Sequence, residues 1–258
     1  MRQTVSVVIP TYNAARTLRQ CLDALTWADA VIVVDMFSSD DTPGICQSYA
    51  NVRFYQRKGY IYENVNFGFD QADTDWVIRL DSDEVIGDEL RESILRVLSD
   101  PPDGVSGFLF RGVHYMFGQP MHHGPYLPEF CWRKHMFRRG TARYPCHSEH
   151  EDIDARGRLE RLRGTYEHFT NPTVSEMLAK MNYYTDKDAE RYSDHELYAP
   201  SRLKVAWRAM KLFFLYYVRY RGYRDGHAGF YCALFRGALY QSLEASKRWE
   251  RWKTLQSR

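Results

Sequence analysis

No stretch of this sequence is apolar for long. The longest uninterrupted run, Leu212–Val218, falls far short of the roughly 18 residues that a spanning helix needs. Cysteine is sparse: Cys21, Cys46, Cys131, Cys146 and Cys232 are odd in number and contain no C-x-x-C pair. That argues against a disulfide framework and a zinc site, and predicts a reducing compartment. Strand-like text begins within a few residues of Met1, which predicts no signal peptide. Glycine is missing where an EF-hand needs it, since D-S-D-E-V-I has Ile86 at the sharp-turn position. There is no internal repeat, no low-complexity stretch and no nucleic-acid recognition motif.

What is present is length enough for a sizeable core, and many aromatics. With 258 residues the chain can form one large domain or a domain with an appendage. Its 19 tyrosines suit a sugar-facing or interfacial surface, but filling a core is the default reading. The net charge of +2 hides an asymmetry. From Arg202 onward there are 13 Lys/Arg against 3 Asp/Glu, which leaves 22 against 30 in the preceding 201 residues. An acidic body with a basic tail predicts that the tail faces something anionic.

Residues 4–10 (TVSVVIP) and 30–35 (AVIVVD) read as buried parallel strands, 51–56 as a third and WVIRLD (76–81) as a fourth. Helices are expected between them: one after Asn13 as its cap with Leu18, Cys21, Leu22 and Leu25 inward, one opening in SSDDT, and one over 62–72. A fourth follows with Leu90, Ile94, Leu95 and Leu98 on one face. This alternation predicts an α/β fold with a doubly wound, mainly parallel sheet flanked by helices, binding ligands at the carboxyl ends of its strands. Thr11-Tyr12-Asn13, Asp35 and Asp81-Ser82-Asp83-Glu84 end three of these strands, so one site is expected where they converge. From 104 to 170 short aromatic segments predict a small antiparallel extension, and 173–193, 201–220 and about 227–253 read as helices. Two domains are expected: 1–170, and a helical, basic C-terminal region at 171–258.

Asp81 and Asp83 stand at i and i+2, so an extended backbone turns both carboxylates to one side. Mg²⁺ or Mn²⁺ prefers oxygen ligands and takes one or two carboxylates plus substrate phosphates. The competing reading is that Asp81, Asp83 and Glu84 merely open a helix near Gly87. Asp152 and Asp154, near Gly157, read as a solvated turn.

VSVVIPTYNAARTL, VIVVDMFSSDDT and WVIRLDSDE, in that order and spacing, resemble the family-2 glycosyltransferases of GT-A (Rossmann-like) fold. GVHYMFGQPMHHG, CHSEHEDI, YEHFT and YRDGHAGFYCALFRGALYQ narrow the resemblance to the subgroup that glucosylates the heptose of lipopolysaccharide inner core. The resemblance implies an inverting, metal-dependent transfer of a hexose from a nucleotide-sugar to a lipopolysaccharide-core or other cell-surface glycan acceptor. It implies Pro10, Thr11 and Tyr12 at the base pocket, Asp35 beside base or ribose, Asp81 at ribose or metal, and Asp83 on the Mg²⁺ or Mn²⁺. It also implies His168 as a further metal or phosphate contact, against the plainer reading of a hydrogen-bonded histidine at a strand end. Arg79, two residues before Asp81, reads either as restraining the negative charge or as structural. The general base would be Glu151, in the dipeptide His150-Glu151, with Glu149 in reserve. Met36 stands where many members carry a second acidic residue, so the nucleotide stays open.

Two other function classes compete. A sugar-1-phosphate nucleotidyltransferase would want a glycine-rich phosphate loop, and PTYNAARTL has no glycine. A non-catalytic sugar- or membrane-binding scaffold would bind nucleotide without turnover. The segment 206–224 alternates Lys/Arg with Phe, Tyr and Trp, as an interfacial helix or a core helix with snorkelling cations would. The expected location is the cytoplasm, peripheral on the inner face of the cytoplasmic membrane, facing a lipid-linked acceptor.

Overall fold

The computed structural model describes residues 2–147, 151–193 and 199–257. In chain order the elements are β1 (Val5–Thr11), α1 (Ala15–Asp23), β2 (Ala30–Asp35), α2 (Thr42–Cys46), β3 (Val52–Gln56), α3 (Ile61–Gln71) and β4 (Trp76–Arg79). Then come β5 (Glu84–Ile86), α4 (Asp88–Ser99), β6 (Val105–Met116), β7 (Gln119–Met121), β8 (Trp132–Arg138), β9 (Ala142–Arg143), β10 (Asp154–Ala155) and β11 (Arg158–Asn171). The helices α5 (Val174–Glu190), α6 (Arg202–Phe214), α7 (Gly226–Cys232) and α8 (Tyr240–Gln256) complete the chain.

The fold is α/β. Strands β3, β2, β1 and β4 lie in that order and run parallel, with Val8 of β1 opposite Ile32 on one side and Arg79 on the other. β1 and β2 are buried end to end because both faces are covered. Alternation sorts their side chains: Val5, Val7 and Ile9 meet Leu18 and Leu22 of α1, whereas Val8, Ile32 and Val34 meet Val65 and Phe69 of α3. Gly68 permits that second contact, since a Cβ there would stand 2.3 Å from Val8 Cγ1. Past β4 the same sheet continues with β8, β6, β11 and β5, and β4 pairs antiparallel with β8. The antiparallel strands thus extend the parallel layer edgewise. Trp76 is fully buried at this junction, with Phe108 at 5.6 Å and the Arg138 guanidinium 4.6 Å from its ring.

Asn13 does not cap α1 as its position suggested. It adopts a left-handed φ of 49°, and its side chain accepts from Ser39 N at 2.8 Å. The helix start is held by Thr42 Oγ1, which accepts from Ala14 N, and by Asp40, which accepts from Ala15 N.

Contacts divide the chain into two units, 1–112 with 132–168, and 113–131 with 169–258. The segment 113–131, which precedes the boundary at 170, groups with the helices. In that second unit Met116, Met121, Tyr126, Met177, Met181 and Cys232 form a small core. The His123 ring and the backbone N–H groups of His122 and His123 all bond the carboxylate of Asp225. Among the described residues no helix is long and apolar enough to cross a membrane.

Candidate active site

β4 leaves the sheet at Arg79, and the chain reverses tightly before β5. Two hydrogen bonds close the reversal: Asp81 N donates to Glu84 Oε2 at 2.9 Å, and Glu84 N donates to Asp81 O at 3.0 Å. The three carboxylates therefore divide their work. Glu84 is buried and ties the turn, while Asp81 and Asp83 remain partly open. None of the three opens a helix, because β5 intervenes and Gly87 precedes α4, whose own first turn carries Asp88 and Glu89.

Sheet register delivers the fourth side chain. β5 pairs antiparallel with β11, which sets His168 opposite Glu84. His168 Nε2 stands 3.3 Å from Asp83 Oδ1, and its Nδ1 lies 3.7 Å from Glu84 Oε1. Donor atoms of Asp81, Asp83 and His168 all fall within 4.8 Å of one another. Burial pulls the imidazole down, but its bond to Asp83 and the charges of Glu84, Asp83 and Asp81 outweigh it, so its pKa rises. Burial and then the charge of Asp81 push the Glu84 carboxyl up, against the pull of His168 and Arg79.

The set fits a hard divalent cation. Two ligands each about 2.1 Å from one ion, at right angles, stand about 3 Å apart, close to the Asp83–His168 separation. Carboxylate oxygens with one imidazole nitrogen suit Mn²⁺ or Mg²⁺ better than a soft metal.

Arg79 backs the cluster. Its Nη2 donates to Asp81 Oδ1 at 2.6 Å, while its backbone carbonyl meets His135 Nδ1 at 2.7 Å. Burial pulls this guanidinium's pKa down, yet Asp81 first among its neighbours keeps it above the ordinary arginine value. Burial brings His135 down to about 3, so it is neutral. It packs between Phe110, with ring centroids 5.2 Å apart, and Tyr166, at 4.7 Å.

At the neighbouring strand ends Thr11 donates to Asp35 Oδ1 at 3.1 Å, and Ser38 N donates to Asp35 Oδ2 at 2.9 Å. Ser38 Oγ donates at 2.5 Å and Gln56 Nε2 at 3.3 Å to the same carboxylate. Asp35 is fully buried and joins the ends of β1, β2 and β3. Pro10 is buried within β1, whereas Tyr12 is 60% exposed just beyond it. Glu151 is half-buried and accepts from His147 N. Glu149 and His150 lie outside the described residues. Asp152 forms a 2.7 Å ion pair with Lys134.

Sequence reasoning missed the seat of this last segment. Asn66, buried on α3, accepts from Tyr144 N and donates to Tyr144 O, both at 2.9 Å. The Tyr144 ring stacks on Tyr62 with centroids 4.2 Å apart. Burial pushes the Tyr144 phenol up to about 12, with the charge of Arg79 opposing and that of Asp81 adding. The available signal was Asn64 and Asn66 on the inward face of a helix, where asparagine is disfavoured without a partner.

A parallel sheet with carboxylates and an imidazole gathered beyond its fourth strand defines an α/β protein with its site at the carboxyl edge. Residues 6–157, more than half of the chain, match glycosyl transferase family 2, and the chain belongs to that family. It is a glycosyltransferase. It is 28% identical over 258 residues to the lipopolysaccharide core biosynthesis glycosyltransferase LpsC of Rhizobium meliloti, covering 96% of this chain and 92% of that one. An uncharacterized glycosyltransferase of Rickettsia bellii is 24% identical over 229 residues, 83% of this chain and 77% of the other. Among solved structures, S. aureus TarS 1-349 superposes with a TM-score of 0.47 at 17% identity, covering 98% of this chain and 90% of that one.

Proposed function

We propose that the protein is a metal-dependent inverting glycosyltransferase that moves a hexose from a nucleotide-sugar to a lipopolysaccharide-core or related cell-surface glycan acceptor. One observation carries the donor half of this reading: Asp81, Asp83 and His168 are brought within ligand distance at the end of β4. The similarity to LpsC over nearly the whole of both chains supports the acceptor half.

In this reading Asp83 and His168 hold Mg²⁺ or Mn²⁺, with Asp81 at its edge or at the ribose. When bound, the cation neutralises charge that develops on the diphosphate leaving group. Arg79 fixes the rotamer of Asp81 and offsets the surplus of negative charge. Pro10, Thr11 and Tyr12 line the base pocket; the exposed Tyr12 ring is free to stack on a base, and Asp35 holds the three strand ends that shape it. Glu151, with Glu149 in reserve, takes the proton of the acceptor hydroxyl. That oxygen then bonds to the anomeric carbon from the face opposite the diphosphate as the bond from carbon to phosphate oxygen breaks. Asn66 and the Tyr62–Tyr144 stack seat the backbone that leads to this carboxylate.

The test is a thermal-shift panel of nucleotide-sugars with and without Mn²⁺, run on the parent and on Asp83→Ala. The melting point should rise for at least one donor, only with metal, and only in the parent. NMR of the product should show an inverted anomeric centre. A shift indifferent to metal and to the substitution, or a retained anomer, overturns the reading. Binding without turnover would leave a scaffold instead.

A further inference from the structure

In the helical unit a row of large apolar side chains is left uncovered. Leu203, Trp207, Met210 and Phe214 of α6, and Val218 of the π-helical turn that continues it, are 83%, 60%, 55%, 58% and 53% exposed. On a regular helix the first four lie within about 60° of one another, so they form one stripe along one face. The opposite side does the packing, where Ala209 is buried and a Cβ on Gly237 would stand 3.0 Å from the Leu212 backbone.

The segment that carries the stripe has charge of a single sign. Between residues 202 and 224 there are seven Lys/Arg and no Asp or Glu. Lys204, Lys211 and Arg219 are exposed, and the Lys211 ammonium lies 4.9 Å from the Trp207 ring, which ties a cation to the apolar row. A second copy docking through the same face about a two-fold axis would bring the exposed Lys204, Lys211 and Arg219 of one copy toward those of the other, which disfavours self-association there. Trp and Tyr with Lys and Arg around an exposed aliphatic row match the boundary between lipid headgroups and acyl chains. No described helix crosses a membrane, so the helix would lie along the surface.

We propose that α6 and its continuation dock the protein on an anionic lipid bilayer, with Leu203, Trp207, Met210, Phe214 and Val218 inserted among the acyl chains. Lys204, Lys211 and Arg219 contact the headgroup phosphates. This surface is independent of the transfer reaction proposed above.

The experiment is co-sedimentation of the full chain with phosphatidylcholine vesicles containing increasing phosphatidylglycerol. Bound fraction should rise with the anionic share and fall with salt. Trp207→Glu and the pair Lys204→Glu/Lys211→Glu should each weaken binding roughly tenfold or more while melting at the parental temperature. Asp83→Ala should bind vesicles as the parent does, which separates this outcome from the fate of the catalytic reading. Equal binding by the parent and both variants, or none at any lipid composition, overturns the proposal. So does light scattering that shows the parent as a dimer and Trp207→Glu as a monomer, because the stripe would then be a protein interface.

Discussion

Leu18 and Leu203 are leucines on amphipathic helices of the same chain, yet one is fully buried and the other is 83% exposed. Leu18, Cys21 and Leu22 of α1 are all buried in one core with side chains of β1 and β2. Around Leu203 the apolar positions of α6 have as regular a spacing, and none of the described residues covers them. Hydrophobic period states which face of a helix avoids water, but not what covers that face. The parallel half of the sheet spends its apolar residues on folding and leaves polar side chains at its strand ends for chemistry. The helical unit keeps part of its apolar surface outward, with Lys204, Lys211 and Arg219 exposed on the same segment.

The sharpest separation between the two regions comes from the acidic turn. On the proposed reading, in which Asp83 ligates a cation that stabilises the leaving diphosphate, Asp83→Ala should lower kcat/KM about a thousandfold in a donor-transfer assay. The variant should melt within a degree or two of the parent, since Asp83 is partly exposed and Glu84 holds the turn. A large loss of stability would mean that the side chain only supports the turn.

Next in size is the covered leucine. Leu18→Ala should cost about 3 kcal/mol in urea unfolding, through lost burial plus the cavity left in the core that it shares with β1 and β2. Asn66→Ala follows. It removes both hydrogen bonds to the Tyr144 backbone and leaves a buried donor and acceptor unpaired, at about 2 kcal/mol. If Glu151 is the base, the same variant should also lower kcat several-fold with KM for the donor unchanged, as steady-state kinetics would read.

How much of this was legible follows from where the interactions lie in sequence. Strands β1, β2 and β4 could be read directly, because burial on both faces writes continuous apolar runs. Asp81 and Asp83 were expected together on an extended backbone, but β4 ends at Arg79 and a tight turn, not a strand, carries both carboxylates. His168 entered through family resemblance alone; only the register of β11 on β5, more than 80 residues apart in sequence, brings it to Asp83. Asn66 and Tyr144 are 78 residues apart, and no periodicity announces such a bond. Asn13 was misread for a related reason: its short polar side chain suits a helix cap and a left-handed turn equally, and the loop carrying Ser38 and Ser39 decided the matter. The three adjacent carboxylates looked alike in sequence, and burial separated Glu84 from the other two.

The smallest effect is the most telling about the comparison. Leu203→Ala should change unfolding stability by less than about 0.5 kcal/mol, because a side chain already in water loses little when shortened and alanine favours the helix slightly. Set beside Leu18→Ala, the same substitution on two amphipathic helices should then differ about sixfold in cost. A penalty at Leu203 approaching that at Leu18 would mean the stripe is covered in solution, by another copy of the chain if the penalty grows with protein concentration. A small penalty at every concentration leaves the row open to lipid, and vesicle binding then reads its use.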